Sequence, residues 1–241
     1  MTEPSFQTRR IAVMQPYFLP YLGYFQLMAA ADVFVIYDDV HFVNRGWINR
    51  NRLLLGGQAH MFTVPLSGAS QNRLISEISL HDNAAGRPKL LRTVHQAYRG
   101  APQFDALMPL IERVVDHRGP GLAAFLRHSL VQLSAHLGLR CRVVESSSVY
   151  GNGALGGEAR ILDICRREGA TEYLNLPGGM ALYEPAHFAG QGLGLRFLSQ
   201  HTTDYAQGGA ASHVRGLSML DVLMWNTPAE VQRLLFACDW V

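Results

Sequence analysis

Four short stretches carry the residue types that do chemistry on small anions. The first is Gln15-Pro16-Tyr17-Phe18-Leu19-Pro20-Tyr21-Leu22-Gly23-Tyr24-Phe25. It comes directly after the apolar run Ile11–Met14, so it lies where open α/β sheets place ligands, at a strand's carboxyl end. Gly23 falls in the first turn of the next helix. A missing side chain there admits a ligand to free amides and to the positive end of the helix dipole. Gln15, Pro16, Tyr17, Tyr21 and Gly23 are therefore read as a ligand cradle and Tyr24 as a hydroxyl able to act in catalysis. The competing reading is an aromatic loop packed over the sheet edge.

The second stretch, Tyr37-Asp38-Asp39-Val40, ends the next apolar run and should lie beside the first. Asp38 or Asp39 could serve as a base or a cation ligand. Side chains alternate along a strand, so one of the two is expected to face the site. Alternatively both are strand-end caps on backbone amides. The third, Asn44-Arg45-Gly46-Trp47-Ile48-Asn49-Arg50-Asn51-Arg52, packs three arginines and three asparagines around one tryptophan. Arginine's planar fork suits carboxylate or phosphate. Trp47, Asn49, Arg50 and Asn51 are read as an anion clamp, against a solvated basic loop paired with the two aspartates. The fourth, Asn175-Leu-Pro-Gly178-Gly179-Met-Ala-Leu-Tyr183, is a strand entering a Gly-Gly turn. Gly178, Gly179 and Tyr183 could border a ligand or simply make a tight turn. Ser218 and Asp221 have the spacing of a helix capping box.

The elements that position these stretches can be read from periodicity. Ile11–Met14 and Val33–Tyr37 read as strands flanking a helix over Tyr21–Ala31, a compact βαβ unit with parallel strands and a right-handed crossover. His60–Pro65 and the alternating Leu74–Leu80 read as a hairpin. From residue 87 to about 138 the pattern is helical, with breaks near Gly100-Ala-Pro102 and Gly119-Pro-Gly121 that give three helices. Arg142–Glu145, Tyr173–Asn175 and Leu195–Leu198 read as strands. Glu158–Glu168, Leu217–Asn226 and Ala229–Phe236 read as helices. Strand–helix alternation at both ends predicts one α/β domain over residues 1–241. Its mainly parallel sheet would carry helices on both faces, a HUP- or Rossmann-like core with a helical insertion.

Composition narrows the partners. The 241 residues are 48% hydrophobic and 17% charged, which suits a packed core. A net charge of +2 argues against a nucleic-acid face, which needs clustered cations. The expected partner is an anionic small molecule, and a homodimer is left open. Lys89 is the sole lysine, so lysine-based covalent or phosphate chemistry has one candidate, on an expected helix. Three separated cysteines without a CxxC pair, a polar Met1–Arg10 and no apolar run near the ~18–20 residues of a membrane span all point to the cytoplasm. Ten histidines show no HxH or HxxxH pair, so no metal site is expected. No cofactor is named by any motif, and neither a Walker loop nor a Gly-x-Ser-x-Gly elbow occurs.

The quoted motifs resemble those of a known bacterial family. MQPYFLPYLGYFQL, DVFVIYDDVHF and RGWINRNRLL near the start, YRGAP at Tyr98–Pro102, the serines at Ser146–Ser148, ILDICRREGATEYLN, the Gly178–Tyr183 turn, DYAQ and LSMLDVLMWN together resemble the WbqC-like family. That resemblance implies a role in making or decorating surface glycans such as O-antigen. Joined to the anion-binding stretches above, it leads to the expectation of a group-transfer enzyme acting on a nucleotide, a nucleotide-sugar or an activated acyl donor. A non-catalytic binding module of a glycan-synthesis complex is the alternative. The spacing Pro-Tyr-Leu-Gly-Tyr also resembles, distantly, the Pro-x-His-x-Gly-His pattern of nucleotidylyltransferases. Tyrosines stand where those enzymes keep histidines, and a neutral tyrosine donates a hydrogen bond without bringing a full charge.

Overall fold

The computed structural model describes residues 8–81, 86–199, 204–209 and 212–241. The polar stretch at residues 1–7, expected to lack a signal region, lies outside the described residues.

Ten strands and eight helices alternate along the described chain. Strands β1 (Arg10–Met14) and β2 (Val33–Ile36) flank helix α1 (Leu22–Ala30). Next come two small antiparallel pairs, β3 (Arg50–Leu55) with β4 (Gln58–Thr63) and β5 (Leu66–Ser67) with β6 (Ser79–Leu80). Three consecutive helices, α2 (Gly86–Tyr98), α3 (Phe104–Val115) and α4 (Gly121–His136), form the expected helical segment. The chain continues through β7 (Arg142–Val144), α5 (Gly157–Arg167), β8 (Glu172–Asn175), α6 (Pro185–Gly190), β9 (Gly194–Ser199), α7 (Met219–Trp225), α8 (Pro228–Phe236) and β10 (Asp239–Trp240).

The central sheet has six strands in the order β7-β2-β1-β8-β9-β10. The first five are mutually parallel, and β10 joins the far edge antiparallel to β9. The period-two geometry of strands sorts their residues between two cores. Ala12, Phe34, Ile36, Leu174 and Leu198 face a large cluster built with α1, the α2–α4 segment, α7 and α8. Ile11, Val13, Val33, Val35 and Tyr173 face a smaller cluster completed by Ile161, Ile164 and Cys165 of α5 and Phe188 of α6. Both faces are therefore covered, which explains why β2 is buried at all four positions.

The amphipathic helices explain themselves locally. In α3 the buried positions Leu107, Leu110, Ile111 and Val114 recur at helical spacing, as do Ile161, Ile164 and Cys165 in α5. Helix α8 starts at the Thr227 cap, whose hydroxyl accepts from the Glu230 amide at 3.3 Å, with Pro228 in the first turn.

The expected hairpin of 60–65 with 74–80 is corrected. Residues 58–63 pair instead with β3 across Gly56-Gly57, where both φ angles are positive (59° and 76°), as a two-residue turn between strands of this twist requires. Only Ser79–Leu80 of the later stretch is strand. Ile75–Glu77 coils into one tight turn, because the Glu77 carboxylate reaches back to the Leu74 amide at 2.9 Å while the Ile75 amide is taken by Val40 O. No described helix is long and apolar enough to cross a membrane.

Candidate functional site

From β1 the chain moves to β2 and then β7 on one side, and later returns to β8 on the other side of β1. The order reverses between β1 and β8, and a crevice must open there at the carboxyl ends. A cavity of about 550 Å³ occupies this point. Its floor is the end of β1, Val13 to Gln15, with Asn175 and Leu176 from the end of β8.

The loop after β1 forms one wall and is held in an unusual shape. Leu19 has φ +44°, a region that non-glycine residues seldom occupy. Its carbonyl accepts from Asn51 Nδ2 at 2.8 Å and from Ser218 Oγ at 2.7 Å. The Phe18 amide donates to Ile48 O at 2.9 Å, and its buried ring packs on Phe62 and Phe125. Thus β3, the start of α7 and α4 all fix this loop, which presents Tyr17 and Tyr21 to the cavity. Gln15 is set from behind. The Tyr24 hydroxyl donates to Gln15 O at 2.9 Å, and its ring lies against Tyr17 and Phe34. Tyr24 is fully buried, and burial pushes its phenol well above the usual range. Tyr24, expected as a catalytic hydroxyl, stands outside the cavity lining and holds the floor through Gln15 O. Pro16 and Gly23 are also buried and stand outside the lining, because the first turn of α1 faces the core.

The two aspartates sit one layer back. Tyr37 reaches the cavity, while Asp38 and Asp39 do not line it. Asp38 is buried and accepts from Ser146 Oγ at 2.6 Å; desolvation raises its carboxyl above the ordinary value. Asp39 accepts from Ser147 Oγ and pairs with Arg160. The Arg160 guanidinium, only 3% exposed, also donates through Nε to Asn152 Oδ1 at 3.0 Å and lies 4.9 Å from the centre of the Tyr37 ring. Burial raises the Tyr37 phenol, and Arg160 partly opposes that. Asp39 therefore supports the tyrosine through Arg160 of α5, its cation in place of the basic stretch at 44–52, while Asp38 is held by Ser146.

That basic stretch divides in two. Arg50 folds back, donating through Nε to Gly46 O at 2.8 Å and through Nη2 to Arg45 O. Asn49 Nδ2 donates to Val64 O at 2.8 Å, tying β3's approach to the end of β4. Neither residue of this expected clamp lines the cavity; Asn49 Nδ2 and Arg50 Nε and Nη2 donate to backbone carbonyls instead. Trp47 and Asn51 do line it. Asn51 uses its amide on Phe18 O and Leu19 O, holding the loop.

The cation that does reach the cavity is Arg52. Its Nη2 donates to Gly216 O at 3.0 Å and Arg215 O at 3.3 Å, and its guanidinium carbon stands 5.4 Å from the Trp47 ring centre. Its Nε is buried without a partner. Gly216, at φ +67°, admits this approach; a β-carbon there would stand 2.7 Å from Arg52 Nη2.

Opposite, Gly178, Gly179, Leu182 and Tyr183 close the wall after β8. The two glycines differ. A β-carbon on Gly179 would meet Asn175 Nδ2 at 2.3 Å, whereas one on Gly178 would meet nothing within 4 Å. Of the sequence candidates, Gln15, Tyr17, Tyr21, Trp47, Asn51, Gly178, Gly179 and Tyr183 come together, and Arg52, Tyr37, Asn175 and Gly216 join them. Reading residues 50–55 as a strand would have brought Arg52 forward.

The model of the WbqC-like protein family matches residues 15–233. This chain belongs to the WbqC-like family. The match runs from Gln15 to α8, so it takes in the cavity lining apart from Val13 and Met14. Among WbqC-like relatives, the uncharacterized protein Rv1507c of Mycobacterium tuberculosis (strain ATCC 25618 / H37Rv) is 27% identical over 237 residues, covering 95% of this chain and 99% of its own. No solved structure matches the chain.

Proposed function

We propose that this WbqC-like protein is a group-transfer enzyme of surface-glycan synthesis, such as that of O-antigen. It would bind an anionic small molecule (a nucleotide, a nucleotide-sugar or an activated acyl donor) in the cavity between β1 and β8. The observation that carries this reading is Arg52, a cation with an unused buried donor, at the switch point of a parallel sheet. Tyr17, Tyr21, Tyr37, Trp47 and Tyr183 supply faces and hydroxyls for the rest of the ligand. Gln15 and Asn175 supply amides that accept and donate. Asp39 and Arg160 keep Tyr37 in place. The transfer would be to an amine or hydroxyl of a sugar.

A thermal-shift screen with nucleotides, nucleotide-sugars and acyl donors tests the reading. A rise in melting temperature that Arg52→Gln abolishes supports it; an equal rise in both proteins sinks it.

One observation favours the alternative of a binding module. The rim carries exposed apolar side chains, Leu182 at 68% and Met180 at 52%, which is the kind of surface that partners cover. A stable complex with a component of a glycan-synthesis assembly, lost on Leu182→Ser, together with no thermal response to any small molecule, would favour that reading.

A further inference from the structure

The lining of the cavity is specific enough to narrow the ligand, granted that the cavity is the binding site as proposed above. Among the described residues that line it, Arg52 is the charged one. Two of its bonds are already committed to the carbonyls of Arg215 and Gly216, and one face of the guanidinium rests near Trp47. Nε is buried and without an acceptor, and the two N–H groups of Nη1 are further donors of the same guanidinium. A buried donor left unpaired is unfavourable, so Nε calls for an oxygen from a ligand. One cation in the lining matches one anionic group. A polyphosphate would bring further charges, each of which needs its own cation or a metal ion to offset desolvation.

The other walls fit a polyhydroxylated ring. Tyrosine and tryptophan faces receive the C–H face of a sugar and the face of a base alike. Gln15 and Asn175 amides, with tyrosine hydroxyls, match the hydroxyl rim around such a ring. Gly178 leaves open space beside them, since no atom lies within 4 Å of where its β-carbon would be. A volume of about 550 Å³ holds one or two rings with substituents.

We infer that the cavity takes a sugar or nucleoside ring carrying a single anionic group, a carboxylate or a phosphodiester, with that group on Arg52 and the ring on the tyrosines. The anion is recognised by the arginine edge and not through a divalent cation.

Calorimetric titration of the full chain with four probes tests this: glucuronate, cyclic AMP, glucose, and ATP with magnesium. The first two carry one charge on a sugar and on a nucleoside and so distinguish the two sources of the anion. At least one of them should bind at least ~10-fold more tightly than both glucose and magnesium-ATP, and should lose ~10-fold or more in Arg52→Gln. Arg52→Lys keeps the charge and removes Nε, so it should also bind the preferred probe more weakly while its melting temperature stays near wild type; this variant decides the matter if Arg52→Gln folds poorly. Tighter binding of magnesium-ATP, lost in the Arg52 variants, would overturn the single-anion inference and leave the cavity assignment standing. Binding of none of the probes, or binding indifferent to Arg52, would overturn both.

Discussion

Replacing Arg160 by methionine should cost about 3 kcal/mol of stability, and the structure shows where that figure comes from. The guanidinium is 3% exposed and makes the ion pair with Asp39, a bond to Asn152 Oδ1 at 3.0 Å, a bond to Asp39 O at 3.3 Å and the contact with the Tyr37 ring. Methionine fills much of the same volume, so the loss is electrostatic more than a matter of packing. Breaking a buried pair by removing one partner costs about 3–5 kcal/mol. Asp39 is 15% exposed and keeps its Ser147 bond, which places the expected loss at the lower end of that range. Asp39→Asn strands the more deeply buried partner and should be at least as damaging. The double variant should then be more stable than the sum of the two losses implies, by about 1–3 kcal/mol of coupling. Urea unfolding with an unchanged m-value measures all three. A loss below about 1 kcal/mol for Arg160→Met, or strict additivity in the double variant, would refute the claim that this pair holds the wall behind Tyr37.

Three further outcomes are expected. Burial pushes the Asp221 carboxyl from 3.8 up to about 6, so the folded state holds its proton through a range where the unfolded chain has released it. Stability from this group is therefore lost as pH rises from about 4 to about 6, by on the order of 3 kcal/mol; Asp221→Asn, which can keep the Tyr98 bond, should raise the melting temperature at pH 7 and much less at pH 4, and an equal effect at both would contradict the burial argument. Gly178→Ala should change stability by less than about 0.5 kcal/mol, whereas Gly179→Ala should cost about 1–3 kcal/mol by driving the Asn175 side chain off the Leu176 amide, a contrast that denaturant midpoints resolve. Tyr24→Phe removes only the bond to Gln15 O and should cost about 1 kcal/mol with no change in fold by circular dichroism; no loss at all would mean that the hydroxyl does not set the floor.

The sheet was readable in the sequence because apolar runs such as Ile11–Met14 and Val33–Ile36 are buried on both faces and carry no competing signal. The helices from 86 to 136 were readable for the same kind of reason, since their apolar spacing is helical and glycine and proline break it twice. The stretch 50–55 hid its strand character behind two arginines and an asparagine. There the deciding force is the Gly56-Gly57 turn, which pairs the stretch with Gln58–Thr63 and so carries Arg52 to the cavity. Arg50 is equally suited to an anion by type, yet its guanidinium donates to the carbonyls of Arg45 and Gly46, close by in sequence. The aspartates misled for the opposite reason. Asp39's partner, Arg160, lies 121 residues away in sequence on α5, and Asp38's, Ser146, lies 108 away; no local pattern announces either. Tyr24 stands on α1 just after the cavity loop, and its ring turns inward because α1 presents that face to β2.

The most direct test of the account is where an anion settles. Crystals soaked in iodide should show an anomalous peak inside the cavity, within hydrogen-bonding reach of the Arg52 guanidinium. Iodide gathered instead at Arg50 or at the first turn of α1 beside Gly23, with the Arg52 position empty, would contradict it.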